Sequence, residues 1–310
     1  MSELCLIMEK LKVSVIVPTY KRSEMLPRAI RSCLEQSYSN IEIVVVDDNN
    51  PDSEWRIATE KRMEQFRNEE RVLYIKHDKN LNGNAARNTG IRNASGDLIT
   101  YLDDDDWYYT DKVKKQVEYL IEHPEHRAVY CGWLRGGEIL PEGEGDLSYS
   151  ILNGQNIIIT NSIMMWKQDT IESGGWDETL KRHQEASLLL NYFRYGGLIG
   201  RVPSILVEFD MTDRQNNVNP FINEQIIQYI LNKYNDLVNR CESSSAGSKR
   251  RIFALRYKGI VYNYILCKEW RGAFKALFYI NRICPLTFNK ILIKDIFMRL
   301  TRSSKAPKIL

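Results

Sequence analysis

Residues 101–107 read Tyr-Leu-Asp-Asp-Asp-Asp-Trp, or YLDDDDW. The run in front of them, Leu98-Ile99-Thr100, has the character of a buried strand. Four neighbouring carboxylates repel and raise one another's pKa unless a cation, an arginine or water sits among them. The end of this strand is therefore either a solvated acidic turn or a place built to hold positive charge.

The chain before it decides what kind of strand this is. Val13-Ser14-Val15-Ile16-Val17, closed by Pro18, reads as a buried strand. Ser23 is placed to cap a helix in which Met25, Leu26, Ala29, Ile30, Cys33 and Leu34 recur at helical spacing. Ile41 to Val46 is a second strand, ended by Asp47-Asp48-Asn49-Asn50-Pro51-Asp52. A polar helix is predicted from about Ser53 to Phe66, a third strand over Val72–Ile75 and a helix start over Asn84–Ile91, and Leu98–Leu102 is the fourth strand. Strands alternating with helices predict an α/β fold with a largely parallel sheet and helices on its faces. Ligands in such sheets lie beyond the carboxyl ends of the strands. The polar clusters after Val17, Val46 and Leu102 should then converge on one edge.

Farther on, Leu134–Asn156 is glycine-rich and loop-like, Ile157–Trp166 and Ser204–Phe209 read as strands, and Arg214–Pro220 reads as a linker. Helical segments follow, interrupted at Glu242–Ser248. The predicted organisation is an N-terminal tail over 1–10, a catalytic domain over 11–219 and a helical, basic region over 220–310.

The 310 residues are 43% hydrophobic and 27% charged, ordinary values for a globular protein. The net charge of +3 is unevenly spread: Lys249–Lys308 holds 15 Lys or Arg against Glu269 and Asp295. Such asymmetry points to an anionic partner for the C-terminal region. Six scattered cysteines with no C-x-x-C pair argue against a zinc site or a disulfide framework and for a reducing compartment. MSELCLIMEK does not read as a signal peptide, and no run approaches the ~20 apolar residues of a spanning helix. The expected location is the cytoplasm, peripheral on the inner face of the plasma membrane.

VSVIVPTYKR (Val13–Arg22), IEIVVVDDNNPD (Ile41–Asp52), NLNGNAARNTGI (Asn80–Ile91), LITYLDDDDW and GGWDETLKRHQE (Gly174–Glu185) occur in one order. Together they resemble the motifs of family 2 glycosyltransferases, inverting enzymes of the GT-A fold that use nucleotide sugars. The resemblance covers roughly residues 11–210. It implies a Rossmann-like, mostly parallel sheet flanked by helices, followed here by the basic helical extension.

What the resemblance implies can be carried over residue by residue. YLDDDDW matches the DxD element, making Asp105 a ligand of Mn²⁺ or Mg²⁺, with Asp103 beside it, and turning Asp103 and Asp104 toward ribose and metal-bound water. Hard carboxylate and phosphate oxygens suit such cations, which neutralise charge on a nucleoside diphosphate leaving group. Asp106 is expected at the start of a following helix. Asp48 would accept from a base edge, although DDNNPD departs from the usual DDGSxD at Asn49-Asn50-Pro51. PTYKR, with Lys21 in place of the common Asn, would lay Tyr20 against the base and bring Pro18 and Thr19 near the nucleotide. Asn80 and Gly83 would shape the loop above Arg87, the arginine that reaches the nucleotide. Glu185 falls where the family keeps its catalytic base, without the second acid that often adjoins it; His183 is expected in the site wall and Asp177 in a structural role.

The implied function is transfer of a sugar from a UDP-sugar to an oligosaccharide or lipid-linked acceptor in surface polysaccharide synthesis. Basic residues interleaved with Phe253, Tyr257, Trp270, Phe274 and Phe278 suit an anionic membrane surface; no nucleic-acid motif is present. Two rival functions share some of the features. A metal-dependent D-x-D phosphohydrolase is disfavoured by Trp107, which stands where Thr or Val is needed. A non-catalytic calcium- or carbohydrate-binding module leaves Glu185 and the ordered motifs unexplained.

Overall fold

The computed structural model describes residues 10–212 and 219–302. Nearly all of the expected N-terminal tail and most of the expected linker lie outside the described residues. By packing, the chain forms two compact units, one of residues up to 147 with 157–214 and one of 148–156 with 215 onward.

The first unit begins as the sequence alternation predicts. Its leading elements are β1 (Val13–Thr19), α1 (Leu26–Leu34), β2 (Ile41–Asp47), α2 (Glu54–Met63), β3 (Val72–Lys76), α3 (Gly83–Asn93) and β4 (Leu98–Tyr101). These four strands are parallel in the order β3-β2-β1-β4. Val13, Val15 and Val17 of β1 join the main core with Leu26, Ala29, Ile30 and Cys33 of α1. Ser23 does not cap α1: Met25 occupies that position and no side chain accepts from the helix. Ser53 does cap α2, its Oγ accepting from Arg56 N at 3.2 Å.

Beyond β4 the sheet becomes mixed. It continues through β5 (Trp107–Tyr108), α4 (Lys112–Glu122), β6 (Ala128–Leu134), β7 (Glu138–Ile139), α5 (Ser148–Leu152), β8 (Met164–Trp166), α6 (Lys167–Glu172), α7 (Gln184–Tyr195) and β9 (Ile199–Glu208). β8 runs antiparallel to both β4 and β6, β9 is parallel to β6, and β5 closes the far edge against β9. The strand expected over Ile157–Trp166 is thus much shorter, preceded by a tight turn at Thr160–Ser162. That turn buries Asn161, which the acidic segment needs, as described below. The stretch expected to be loop between Leu134 and Asn156 contains β7 and α5. Lys112, at the start of α4, is wholly buried; its amine donates to Thr100 Oγ1 and lies 4.1 Å from the Tyr108 ring centre. Burial pulls its pKa down to about 8.

Register places the functional edge. β1 pairs with β2 as far as Thr19↔Asp47, and with β4 as far as Ile16↔Tyr101. Continuing both ladders brings the residues after Asp47 and after Leu102 alongside Pro18 and Thr19. α3 approaches β1 so closely that a Cβ on Gly90 would lie 2.4 Å from Ile16 Cγ2.

The second unit is helical: α5 with α8 (Pro220–Lys233), α9 (Asn235–Ser244), α10 (Ser248–Leu266), α11 (Trp270–Ile283) and α12 (Pro285–Arg302). α10 supplies its centre through Ile252, Tyr257, Ile260, Val261 and Tyr264. α11 packs there through Gly272, Ala273, Ala276 and Ile280; a Cβ on Gly272 would meet Tyr264 Cε1 at 2.2 Å. Arg256 donates to the Ile151 and Leu152 carbonyls at the end of α5.

Gly90→Ala forces α3 away from β1 and is expected to cost about 1–3 kcal/mol, the range for overpacking a tight interface. Urea unfolding of the two proteins measures it.

Candidate active site

Asp48 follows β2 and is buried, its backbone N–H donating to Thr19 O at 2.9 Å. Its Oδ1 meets His77 Nδ1 and Leu81 N, each at 2.8 Å. Its Oδ2 accepts from Asn80 Nδ2 at 2.7 Å and Asn82 N at 2.9 Å. A carboxylate has about four acceptor sites, and here all four are taken. In this geometry those lone pairs hold His77 and the 80–82 loop, and Asp48 also lines the cleft described below. His77, which the sequence reading passed over, is braced on its other side by Thr89 Oγ1 at 2.9 Å. The residues that depart from the motif have structural tasks of their own. Asn49 Oδ1 accepts from Lys21 N at 3.0 Å, and Asn50 Oδ1 accepts from Asn80 N at 2.9 Å. Asp52 is exposed in a turn.

The 80–82 loop launches α3. Asn82, at φ 107°, turns the chain and accepts from Asn84 N and Ala85 N. The helix then presents a polar edge to the Gly174–Glu185 segment. Asn82 Nδ2 donates to Glu178 O at 3.0 Å, and Asn84 Nδ2 to Asp177 O at 2.6 Å and Leu180 O at 3.1 Å. Asn88 pairs with both the N–H and the carbonyl of Trp176, while Gly174 and Gly175 adopt positive φ. Asp177 closes its own turn by accepting from Thr179 N and Oγ1, the structural role expected of it. His183, at φ 55°, precedes α7.

Arg87 sits where these segments meet. It is buried, with its guanidinium 4.8 Å from the Trp176 ring centre. It donates to Asp103 Oδ1 at 2.7 Å and to Gln184 Oε1 at 2.9 Å. Glu185, next along α7, retains some exposure, but burial pushes its carboxyl above the usual range; Arg87 pulls it down and Asp103 pushes it up. Glu185, Arg87 and Asp103 are thus close enough to feel one another's charge.

The four acids of YLDDDDW have four different surroundings. Asp103 is the most exposed and pairs with Arg87. Asp104 is buried, accepting from Thr19 Oγ1 at 2.7 Å and Tyr20 N at 3.3 Å. Burial first, then Asp105 and Asp103, drives its pKa up to about 7 against the opposing pull of Thr19 and Arg22. Asp105 is bonded to Arg22 Nη1. Arg22 is raised in turn, because Asp105, Asp104, Asp103 and Asp106 together outweigh the burial of its charge. Asp106 is fully buried, taking Asn161 Nδ2 at 2.6 Å and Asp210 N at 2.9 Å, and it leads into β5 rather than the helix start expected of it. Asn161 also accepts from Asp103 N at 3.1 Å, so one buried amide fixes both ends of the acidic row.

Asp103, Asp105 and Asp106 each offer a carboxylate oxygen within 4.8 Å of the others. This all-oxygen donor set fits a hard divalent cation. All three are already engaged, Asp103 by Arg87, Asp105 by Arg22 and Asp106 by Asn161 and Asp210. Of the acidic row, Asp103 and Asp104 line a cleft of about 540 Å³, together with Pro18, Thr19, Tyr20, Arg22, Arg87, Lys181 and Gln184 among others.

The sequence profile described as Glycosyl transferase family 2 matches residues 14–171, just over half of the chain. The chain belongs to this family. Amylovoran biosynthesis glycosyltransferase AmsB of Erwinia amylovora is 28% identical over 221 residues, covering 67% of this chain and 72% of AmsB. The GalNAc(5)-diNAcBac-PP-undecaprenol beta-1,3-glucosyltransferase of Campylobacter jejuni subsp. jejuni serotype O:2 is 25% identical over 86% of this chain and 87% of its own. Other curated glycosyltransferases match at 38–40% identity but over 112–119 residues, so that this chain spans only 16–18% of their length. Among solved structures, residues 1–349 of S. aureus TarS in complex with UDP-GlcNAc superpose with a TM-score of 0.58, at 16% identity, over 86% of this chain and 90% of that one. The fold is GT-A.

In this family 2 chain the cleft gathers Pro18, Thr19, Tyr20, Asp48, Asn80, Gly83, Arg87, Asp103 and Asp104 from the residues singled out in the sequence, whereas Asp105 and Glu185 lie outside its lining. Arg22, Asn82, Lys181 and Gln184 join them without having been named for the site. Arg22 stood inside the quoted PTYKR, and the signal for it was the charge: an acidic row at the end of an adjacent strand needs a cation.

Two substitutions separate scaffold from site. Asp48→Ala leaves buried donors unanswered and should cost about 2–4 kcal/mol in urea unfolding. Arg22→Ala removes the cation on Asp105 without unfolding the chain. Calorimetric Mn²⁺ affinity, measured without nucleotide, should then rise about two- to fivefold, the range of a solvent-screened ion pair.

Proposed function

We propose that the protein is an inverting glycosyltransferase that moves a sugar from a UDP-sugar to a saccharide acceptor. The observation that carries this reading is the acidic row after β4: Asp103 and Asp104 line the cleft, and Asp103 pairs with Arg87, whose charge also acts on Glu185 at the start of α7. TarS has been solved with UDP-GlcNAc, and the Campylobacter relative is named for an undecaprenol-diphosphate-linked acceptor. These favour a nucleotide-sugar donor and a lipid-linked oligosaccharide acceptor in surface polysaccharide synthesis. No described helix is long and apolar enough to cross a membrane. The lipid-linked acceptor of that relative and the basic C-terminal region favour a peripheral position at the anionic inner face of the plasma membrane.

In this reading Asp105 and Asp103 hold Mn²⁺ or Mg²⁺, which would neutralise charge on the departing diphosphate. Tyr20 offers its exposed ring as a platform for the base, with Pro18 and Thr19 beside it. Asp48 and Asn80 line the cleft and fix the loop from which Arg87 is presented. Arg87 orders Asp103 and Gln184 and can meet a phosphate oxygen once Asp103 turns to the metal. Glu185 takes the proton from the acceptor hydroxyl as that oxygen attacks the anomeric carbon. Attack opposite the leaving group turns an α-linked donor into a β-linkage.

A base must be ionised to act. Because the Glu185 pKa is raised, the rate should climb as pH increases through that value and be lost below it. Glu185→Gln should lower kcat about 10²–10⁴-fold and abolish that limb of the profile. Asp105→Asn should reduce UDP release by a comparable factor and weaken Mn²⁺ dependence. Full transfer by either variant, measured over a donor panel with Mn²⁺, would overturn the assignment.

A further inference from the structure

α11 carries apolar side chains on two faces, and only one of them is covered. Gly272, Ala273, Ala276 and Ile280 are buried. Trp270, Phe274 and Phe278 are 57%, 69% and 69% exposed. At i, i+4 and i+8 these three rings fall within about 80° of one another on the helix, turned away from the buried face. Arg271, Lys275 and Arg282 are exposed and form the adjoining stripe. Arg282 reaches back over the Phe278 ring at 6.0 Å. From Trp270 to Lys294 there are five basic residues and no acidic one. Leu286, 87% exposed at the start of α12, extends the apolar character past the end of α11.

Three exposed aromatic rings in a row are an uncovered surface rather than scattered apolar residues. A band of rings beside a band of guanidinium and ammonium groups is the pattern of a helix that lies in the headgroup region, rings inward and cations at the phosphates. A second copy of the chain fits the face less well. Two such helices would bring basic stripes together, and α11 has no acid with which to answer them. We propose that this face of α11 docks on an anionic bilayer surface. The inference rests on the lipid-linked acceptor proposed above for its purpose alone, since the observations behind it lie wholly in the helical unit.

The test is sedimentation of the full chain with vesicles of phosphatidylcholine alone or with roughly one-third phosphatidylglycerol. The wild-type chain should partition to the anionic vesicles. Phe274→Ser with Phe278→Ser should weaken that partition about tenfold or more, with far-UV circular dichroism and UDP release unchanged. Arg271→Gln with Lys275→Gln and Arg282→Gln should remove the preference for anionic over neutral vesicles. The proposal is overturned if the wild-type chain binds neither vesicle, or if the double Phe variant binds as the wild type does. It is overturned equally if analytical ultracentrifugation without lipid shows a dimer that the double Phe variant dissolves. The vesicle assay contains no donor, so loss of transfer activity and loss of membrane docking are read separately.

Discussion

Everything at the candidate site answers to the repulsion among four consecutive carboxylates. They cannot all be ionised side by side in a half-buried place without compensation. The fold provides it unequally: Arg87 for Asp103, Arg22 for Asp105, a hydroxyl and a backbone N–H for Asp104, and neutral donors for Asp106. The inequality is what makes the row useful. Asp106 is spent on architecture, Asp104 is held at an intermediate pKa, and Asp103 and Asp105 face exchangeable cationic partners.

One of those partners, Arg87, is delivered by a chain of polar contacts that begins at Asp48. Three of its four side-chain hydrogen bonds fix the 80–82 loop and the fourth holds His77; the loop starts α3, and α3 carries Arg87 to Asp103. The asparagines of the same helix hold the Gly174–Glu185 segment by its backbone, which sets Gln184 on Arg87 and brings Glu185 within electrostatic reach. Close packing of Gly90 on Ile16 keeps that helix on β1. A rigid scaffold of this kind lets Glu185 and the acidic row be positioned by different strands and helices yet feel one guanidinium.

The legible part of the structure was the part with strong periodicity. Val13–Val17, Ile41–Val46 and Leu98–Thr100 bury nearly every side chain, so hydrophobic runs mark them plainly. The brevity of β8 was not evident, because its antiparallel crossing of β4 depends on contacts distant in sequence. Ser23 failed as a cap because Pro27 near the helix start already suits the first turn and the chain enters through Met25. Asp48 shows a subtler limit. Its place at the end of β2 was plain, but its role was not: the donors that fill it come from His77 to Asn82, about thirty residues on. Departures at Asn49 and Asn50 likewise made sense only once Lys21 and Asn80 were seen to use them.

By itself, the sequence determined the alternating first half of the sheet, the edge on which polar clusters gather, the motif order and the basic imbalance of the C-terminal region. These follow from local periodicity and composition, which require no partner. Tertiary structure alone decided which partner each carboxylate of the acidic row takes, that Arg22 joins the site, and that Trp270, Phe274 and Phe278 stand outside rather than within the helical core. Charge and burial are properties of surroundings, and only the folded chain assembles surroundings from distant residues.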